Sequence, residues 1–78
     1  MIGKILKYIR KEKGLTQKQL ADILNIAQTT LSGYETRYSN PTFEEIEKIA
    51  NTCNYEIIFR NKDNKEEITS NNIDRKEI

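Results

Sequence analysis

Apolar residues recur every third or fourth position from the start of the chain. Ile2, Ile5, Leu6 and Ile9 fall at i, i+3, i+4 and i+7, the stripe of an amphipathic helix over Ile2 to Lys13 that Gly14 is placed to end. Thr16 then offers an N-cap hydroxyl, and Gln19 three residues later completes a capping box, so a second helix opens at Gln17 with Leu20, Ile23 and Leu24 along its buried edge. Asn25 follows at once. Asparagine tolerates a left-handed backbone better than other residues with a Cβ, so a tight turn is expected there. A third helix, about Gln28 to Glu35, buries Leu31 and Tyr34, and the segment from Thr36 to Pro41 breaks the pattern as a loop. Thr42 and Glu45 form a second capping box ahead of a fourth helix, where Phe43, Ile46, Ile49, Ala50 and Cys53 keep helical spacing.

Beyond Cys53 the period changes to two. Tyr55, Ile57 and Phe59 alternate with Glu56, Ile58 and Arg60, which predicts a strand. Asn61 to Lys65 is a polar turn that returns the chain into a weaker strand near Glu66 to Thr69, and the last nine residues have little to bury and are expected to fray. The predicted fold is mainly α: a four-helix domain over residues 1–54, a short C-terminal β-strand or hairpin over 55–69, and a tail over 70–78.

At 78 residues this is one domain with a small core and no room for a cleft between lobes. The longest apolar run is Ile57-Ile58-Phe59, and the N-terminus lacks the apolar region of a secretion signal, so a cytoplasmic location without membrane attachment is expected. A single cysteine, Cys53, and the absence of histidine remove an internal disulfide, the usual zinc ligands and the commonest partners for nucleophilic or acid–base catalysis. No enzyme, metal or cofactor is therefore expected. Charge is informative by its distribution. Residues 1–38 carry seven cations against three anions, and residues 39–78 carry six against nine, so a basic half suited to a polyanion is followed by an acidic half with another task.

The central segment meets the requirements of a helix-turn-helix, in which one helix and a turn hold a second helix at the angle that lets its outer face enter a DNA major groove. Counting from Gln17, the fifth position must be small where the helices cross and is Ala21. The ninth must accept the left-handed turn and is Asn25. The inward positions are Leu20, Leu24, Ile26, Leu31 and Tyr34, all apolar.

On these residues, together with the stretches Arg10 to Gln17, Leu24 to Gln28, Leu31 to Glu35 and Asn40 to Thr42, the chain resembles the Cro/C1-type repressor family over about residues 4–53. The resemblance implies a DNA-binding transcriptional regulator, a repressor in the first instance, with its recognition helix at about 28–35 in the major groove of double-stranded DNA. The outer face of that helix carries Ala27, Gln28, Thr29, Ser32, Gly33 and Thr36. Gln28 is the leading base reader, because its amide donates and accepts against adenine N6 and N7. Thr29 presents a methyl and a hydroxyl, Ser32 a hydroxyl, and Gly33 a bare backbone for close approach. Gln17, at a helix N-terminus, is placed for a backbone phosphate, with Arg37 and Tyr38 on the far side of the groove. By the same resemblance, Arg10 and Glu35 form an ion pair that orients the reading helix without touching DNA. The family usually has Ser or Thr where Ala27 stands and commonly Gly where Arg37 stands.

A lone helix-turn-helix reads few base pairs, so a homodimer is expected, with Tyr55, Ile57, Ile58 and Phe59 as its contact residues. The alternatives are an antitoxin that represses its own operon while its C-terminal segment holds a toxin or other protein partner, and an interaction module that has kept the fold without binding DNA. A basic membrane-surface reading of the first helix leaves the next thirty residues unexplained.

Overall fold

A computed structural model describes residues 1–76, so residues 77–78 of the predicted tail lie outside the described residues. Four helices, α1 (Ile2–Glu12), α2 (Gln17–Leu24), α3 (Gln28–Thr36) and α4 (Phe43–Thr52), precede a two-stranded antiparallel hairpin, β1 (Phe59–Arg60) and β2 (Glu67–Ile68), and a 3₁₀ turn, Ile73–Arg75. The helix boundaries follow their capping chemistry. Thr16 Oγ1 accepts from Gln19 N at 3.0 Å while Thr16 N donates to Gln19 Oε1 at 2.8 Å, and Thr42 and Glu45 make the same reciprocal pair at α4. Gly14, at φ 79°, turns the chain after α1, and Asn25 adopts the left-handed conformation at φ 58°, ψ 44°, with Ile26 N donating to Ala21 O.

The core is the meeting of one face from each helix. Leu6, Leu20, Leu31 and Ile49 are its fully buried centre, joined by Ile9, Ala21, Tyr34, Ala50 and Cys53. Deleting a side chain as fully buried as Leu31 opens a cavity that costs about 2–5 kcal/mol, a large part of what so small a domain has. Cys53 is one of these packing groups, and burial pushes its thiol up, away from nucleophilic reactivity. Gly3 is buried where α1 crosses the end of α3: a Cβ there would stand 2.5 Å from Tyr34 O and 2.7 Å from Glu35 O.

Several expectations require correction. The strand predicted over Tyr55 to Arg60 has only its last two residues in a ladder, Phe59 opposite Ile68 and Arg60 opposite Glu67. The cause lies upstream. Tyr55 N donates to Ala50 O at 2.8 Å and Asn54 is left-handed, so the chain is tied to the end of α4 and Ile57 packs on the helical core before any strand partner is in reach. Ile23, expected on the buried edge of α2, is 59% exposed, because Leu20 and Ala21 already fill the crossing. Thr36 ends α3 instead of opening the loop. The tail expected to fray is tied as far as the 3₁₀ turn: Thr69 N donates to Asn72 Oδ1, Asn72 Nδ2 to Glu67 O, and Lys76 Nζ to Glu66 Oε1.

Candidate nucleic-acid interface

The position of α3 is fixed by a buried ionic junction. Arg10 Nε donates to Glu35 Oε2 at 2.7 Å and Nη2 to Oε1 at 3.0 Å, while Nη1 donates to Leu15 O at 2.7 Å. This forked pairing suits the planar guanidinium and ties α1 and the α1–α2 loop to the end of α3. Gln17 adds the start of α2, its Nε2 donating to Glu35 Oε1 at 3.0 Å. Burial pushes the Glu35 carboxyl up, but hydrogen bonds from Arg10 and Gln17, with the nearby charges of Arg10 and Lys7, outweigh it and hold the group below the usual carboxylate range. On the other side of α3, Tyr34 Oη donates to Glu45 Oε2, linking α3 to α4.

With its inner face occupied by Leu31, Tyr34 and Glu35, α3 turns outward a row in which Thr29, Ser32 and Thr36 fall at i, i+3 and i+7, with Gln28 beside Thr29 on the first turn. Gln28, Thr29 and Thr36 are exposed and Ser32 is half-buried. Thr36 Oγ1 donates to Ser32 O at 2.9 Å, leaving its oxygen free to accept. Ala27 offers no side-chain cap, so the first N–H groups of α3 have no side-chain acceptor from the N-cap. These groups are hydrogen-bonding and uncharged. The arrangement suits reading base edges.

Beyond α3, Arg37 stands at φ 69°, which explains the preference for glycine at this position: a residue with a Cβ is strained there. None of the five ion pairs among the described residues includes Arg37. Tyr38, 91% exposed, presents its ring and hydroxyl to solvent. The two follow the outward row of α3 directly.

Two of the residues expected at the site also have contacts within the protein. Gly33 is buried, and a Cβ there would stand 2.8 Å from Ser39 Oγ; its bare backbone admits the chain's own loop, with Ser39 N donating to Gly33 O. A glycine inside a short helix, where it costs stability, was the available sign of such a close approach. Gln17 also has a structural task, since its amide nitrogen is engaged by Glu35; its second N–H and its carbonyl oxygen remain for another partner. Of the residues expected at a dimer contact, Tyr55, Ile58 and Phe59 are exposed and Ile57 is half-buried. Phe59 leans on Phe43 of α4 with ring centroids 6.2 Å apart.

Among the described residues there is no group of three or more His, Cys, Asp or Glu side chains that could hold a metal, and no helix long and apolar enough to cross a membrane.

Residues 6–59 match the family described as helix-turn-helix. Among curated proteins, the chain is 42% identical over 53 residues to the HTH-type transcriptional regulator ImmR of Bacillus subtilis (strain 168), covering 68% of this chain and 42% of that protein. It is 34% identical over 56 residues to the immunity repressor protein of Bacillus phage phi105, covering 72% and 39%, and 36% identical over 61 residues to the HTH-type transcriptional regulator AnsR of Bacillus subtilis (strain 168), covering 73% and 52%. The chain thus spans about half or less of the length of these relatives, and the residues that match the family take in α2, α3, α4 and most of α1.

Proposed function

This chain belongs to the Cro/C1-type helix-turn-helix family, and we propose that it is a sequence-specific regulator of transcription that acts as a repressor by binding double-stranded DNA through α3. The observation that carries this reading is the outward row of exposed Gln28, Thr29 and Thr36 with half-buried Ser32, on a helix whose opposite face is pinned by Arg10, Glu35 and Gln17. Gln28 is the principal reader, Thr29 and Ser32 assist it, and Thr36 stands at the exit of the groove. Arg37 and Tyr38, with the free N–H of Gln17, hold the phosphates. One of the relatives is named an immunity repressor, which agrees with this direction of control. The exposed lysines of α1 add a sequence-independent attraction.

Affinity for duplex DNA as a function of salt tests the reading. Binding should weaken steeply as salt rises, and Arg37→Gly should lower the slope of log K against log salt by about one unit, because one phosphate contact is lost. The same substitution should raise thermal stability, by about 1 kcal/mol, by relieving the left-handed strain at φ 69°. A variant that is more stable and binds DNA with an unchanged slope would remove Arg37 from the interface.

A further inference from the structure

The side chain that α3 lacks at Gly33 is replaced by one from the loop that follows. Outside its own helix, a Cβ at Gly33 would meet first Ser39 Oγ at 2.8 Å, then Ser39 Cβ and Tyr38 Cδ2, each at 3.9 Å. The loop is fixed on both sides of this contact. Arg37 turns the chain back in the left-handed conformation, and Ser39 N donates to Gly33 O at 3.2 Å. Tyr38 lies between these two points, so the backbone lays its ring along the flank of α3. The ring touches the helix along one edge, and the residue as a whole remains 91% exposed.

Helix geometry puts that ring beside the outward row. Residues three and four apart are surface neighbours, about 5–6 Å between Cβ atoms, so Gly33 adjoins Thr29 on one turn and Thr36 on the next. A B-DNA major groove is about 12 Å wide, and a groove that admits Thr29 and Thr36 takes in the ring as well. The row and the ring differ in chemistry. Gln28, Thr29, Ser32 and Thr36 offer amide and hydroxyl groups to the polar edges of bases, whereas the ring offers a flat apolar face. In the major groove the apolar group is the C5 methyl of thymine. An uncharged ring adds discrimination there without adding to the salt-dependent attraction.

We infer that Tyr38 is a further specificity-determining residue, its ring seated on Gly33 and packed against the methyl of a thymine at the edge of the site, with its hydroxyl on the adjoining phosphate. Gly33 and Ser39 are positioning residues for that ring. The inference rests on the DNA-binding reading and adds to it a base position that Gln28 does not set.

The test equilibrates the full chain with random duplexes and sequences the retained pool, for the wild type, Tyr38→Phe and Tyr38→Ala. The wild-type motif should contain a thymine outside the positions that Gln28→Ala relaxes. Tyr38→Phe should keep that thymine and lose ~two- to tenfold in affinity on every sequence, specific or random, because only the phosphate hydrogen bond goes. Tyr38→Ala should in addition reduce the preference for the thymine at least ~fivefold. Both should keep the wild-type salt slope, and both should unfold at the wild-type temperature, since the residue is exposed. Gly33→Val tests the seat: a branched side chain there reaches into the space of the ring edge and of Ser39 Oγ, so the same preference should fall with Tyr38 still present. Adding Tyr38→Ala to Gly33→Val should then cost less than ~twofold more at that position. A full further loss would remove Gly33 as the seat, and if Gly33→Val does not fold, the two Tyr38 variants decide. A motif that Tyr38→Ala leaves intact, or that Tyr38→Phe relaxes as far as Tyr38→Ala does, would overturn the inference alone, the first leaving Tyr38 a phosphate contact and the second making its hydroxyl the reader. No enrichment by the wild type would refute the DNA reading itself, and this inference with it.

Discussion

Replacing Arg10 with methionine should cost the fold about 3–5 kcal/mol at neutral pH, most of what a domain of this size commands, and should reverse the sign of one contribution to its pH dependence. Both partners are buried, with side-chain exposures of 7% for Arg10 and 1% for Glu35, so the variant strands a carboxylate away from water with only Gln17 to bond it. In the wild type the folded pKa of Glu35 lies below its unfolded value. The pair's contribution is therefore complete above the ordinary carboxylate range and is lost as the pH falls through the folded pKa. In Arg10→Met burial dominates, the folded pKa rises above the unfolded one, and protonation relieves the stranded charge. Between pH 7 and pH 5 the gap in stability between the two proteins should therefore narrow. Glu45, held low first by its bond from Tyr34, follows the same course in both proteins and cancels from the comparison. Arg10→Met combined with Glu35→Met should recover much of the loss, since a well-packed apolar pair can replace a buried ionic one. Urea unfolding at the two pH values measures all of this; equal losses at both would show that the pair is not the source.

Gln28→Ala should lower affinity for the preferred site by about 1–3 kcal/mol, with a much smaller loss on random duplexes and no change in the salt slope. The side chain is exposed on the first turn of α3 and makes no hydrogen bond within the described protein, so stability should stay within about 0.5 kcal/mol of the wild type. Loss of discrimination without loss of fold is what distinguishes a base reader from a packing residue. Equal losses on specific and random DNA would move the reader elsewhere on α3, with Thr29 next in position.

The helices and their caps were legible because their signals are local. The capping boxes at Thr16 and Thr42, the left-handed asparagine at position 25 and the apolar spacing of Leu20, Leu31 and Ile49 each depend on residues within a turn or two. The Arg10–Glu35 pair spans 25 residues and came from a family resemblance; nothing local announces it. The misreadings share the opposite property. Ile23 is exposed because Leu20 and Ala21 of the same helix fill the crossing with α3, a matter of where the neighbouring helix lies. The strand signal of Tyr55 to Arg60 was overridden by the bond from Tyr55 to α4 and by the packing of Ile57 on the helical core. Period-two patterning reports which side chains want burial. It does not report whether a partner strand is within reach.

The central claim is that the outer row of α3 reads DNA sequence. It is tested most directly by equilibrating the protein with a pool of random duplexes and sequencing those retained, in parallel with Gln28→Ala. A short motif should be enriched over the input, and Gln28→Ala should relax it at one or two adjacent positions, with adenine the base most affected. A retained pool no different from the input, or a motif that the substitution leaves unchanged at every position, would contradict it.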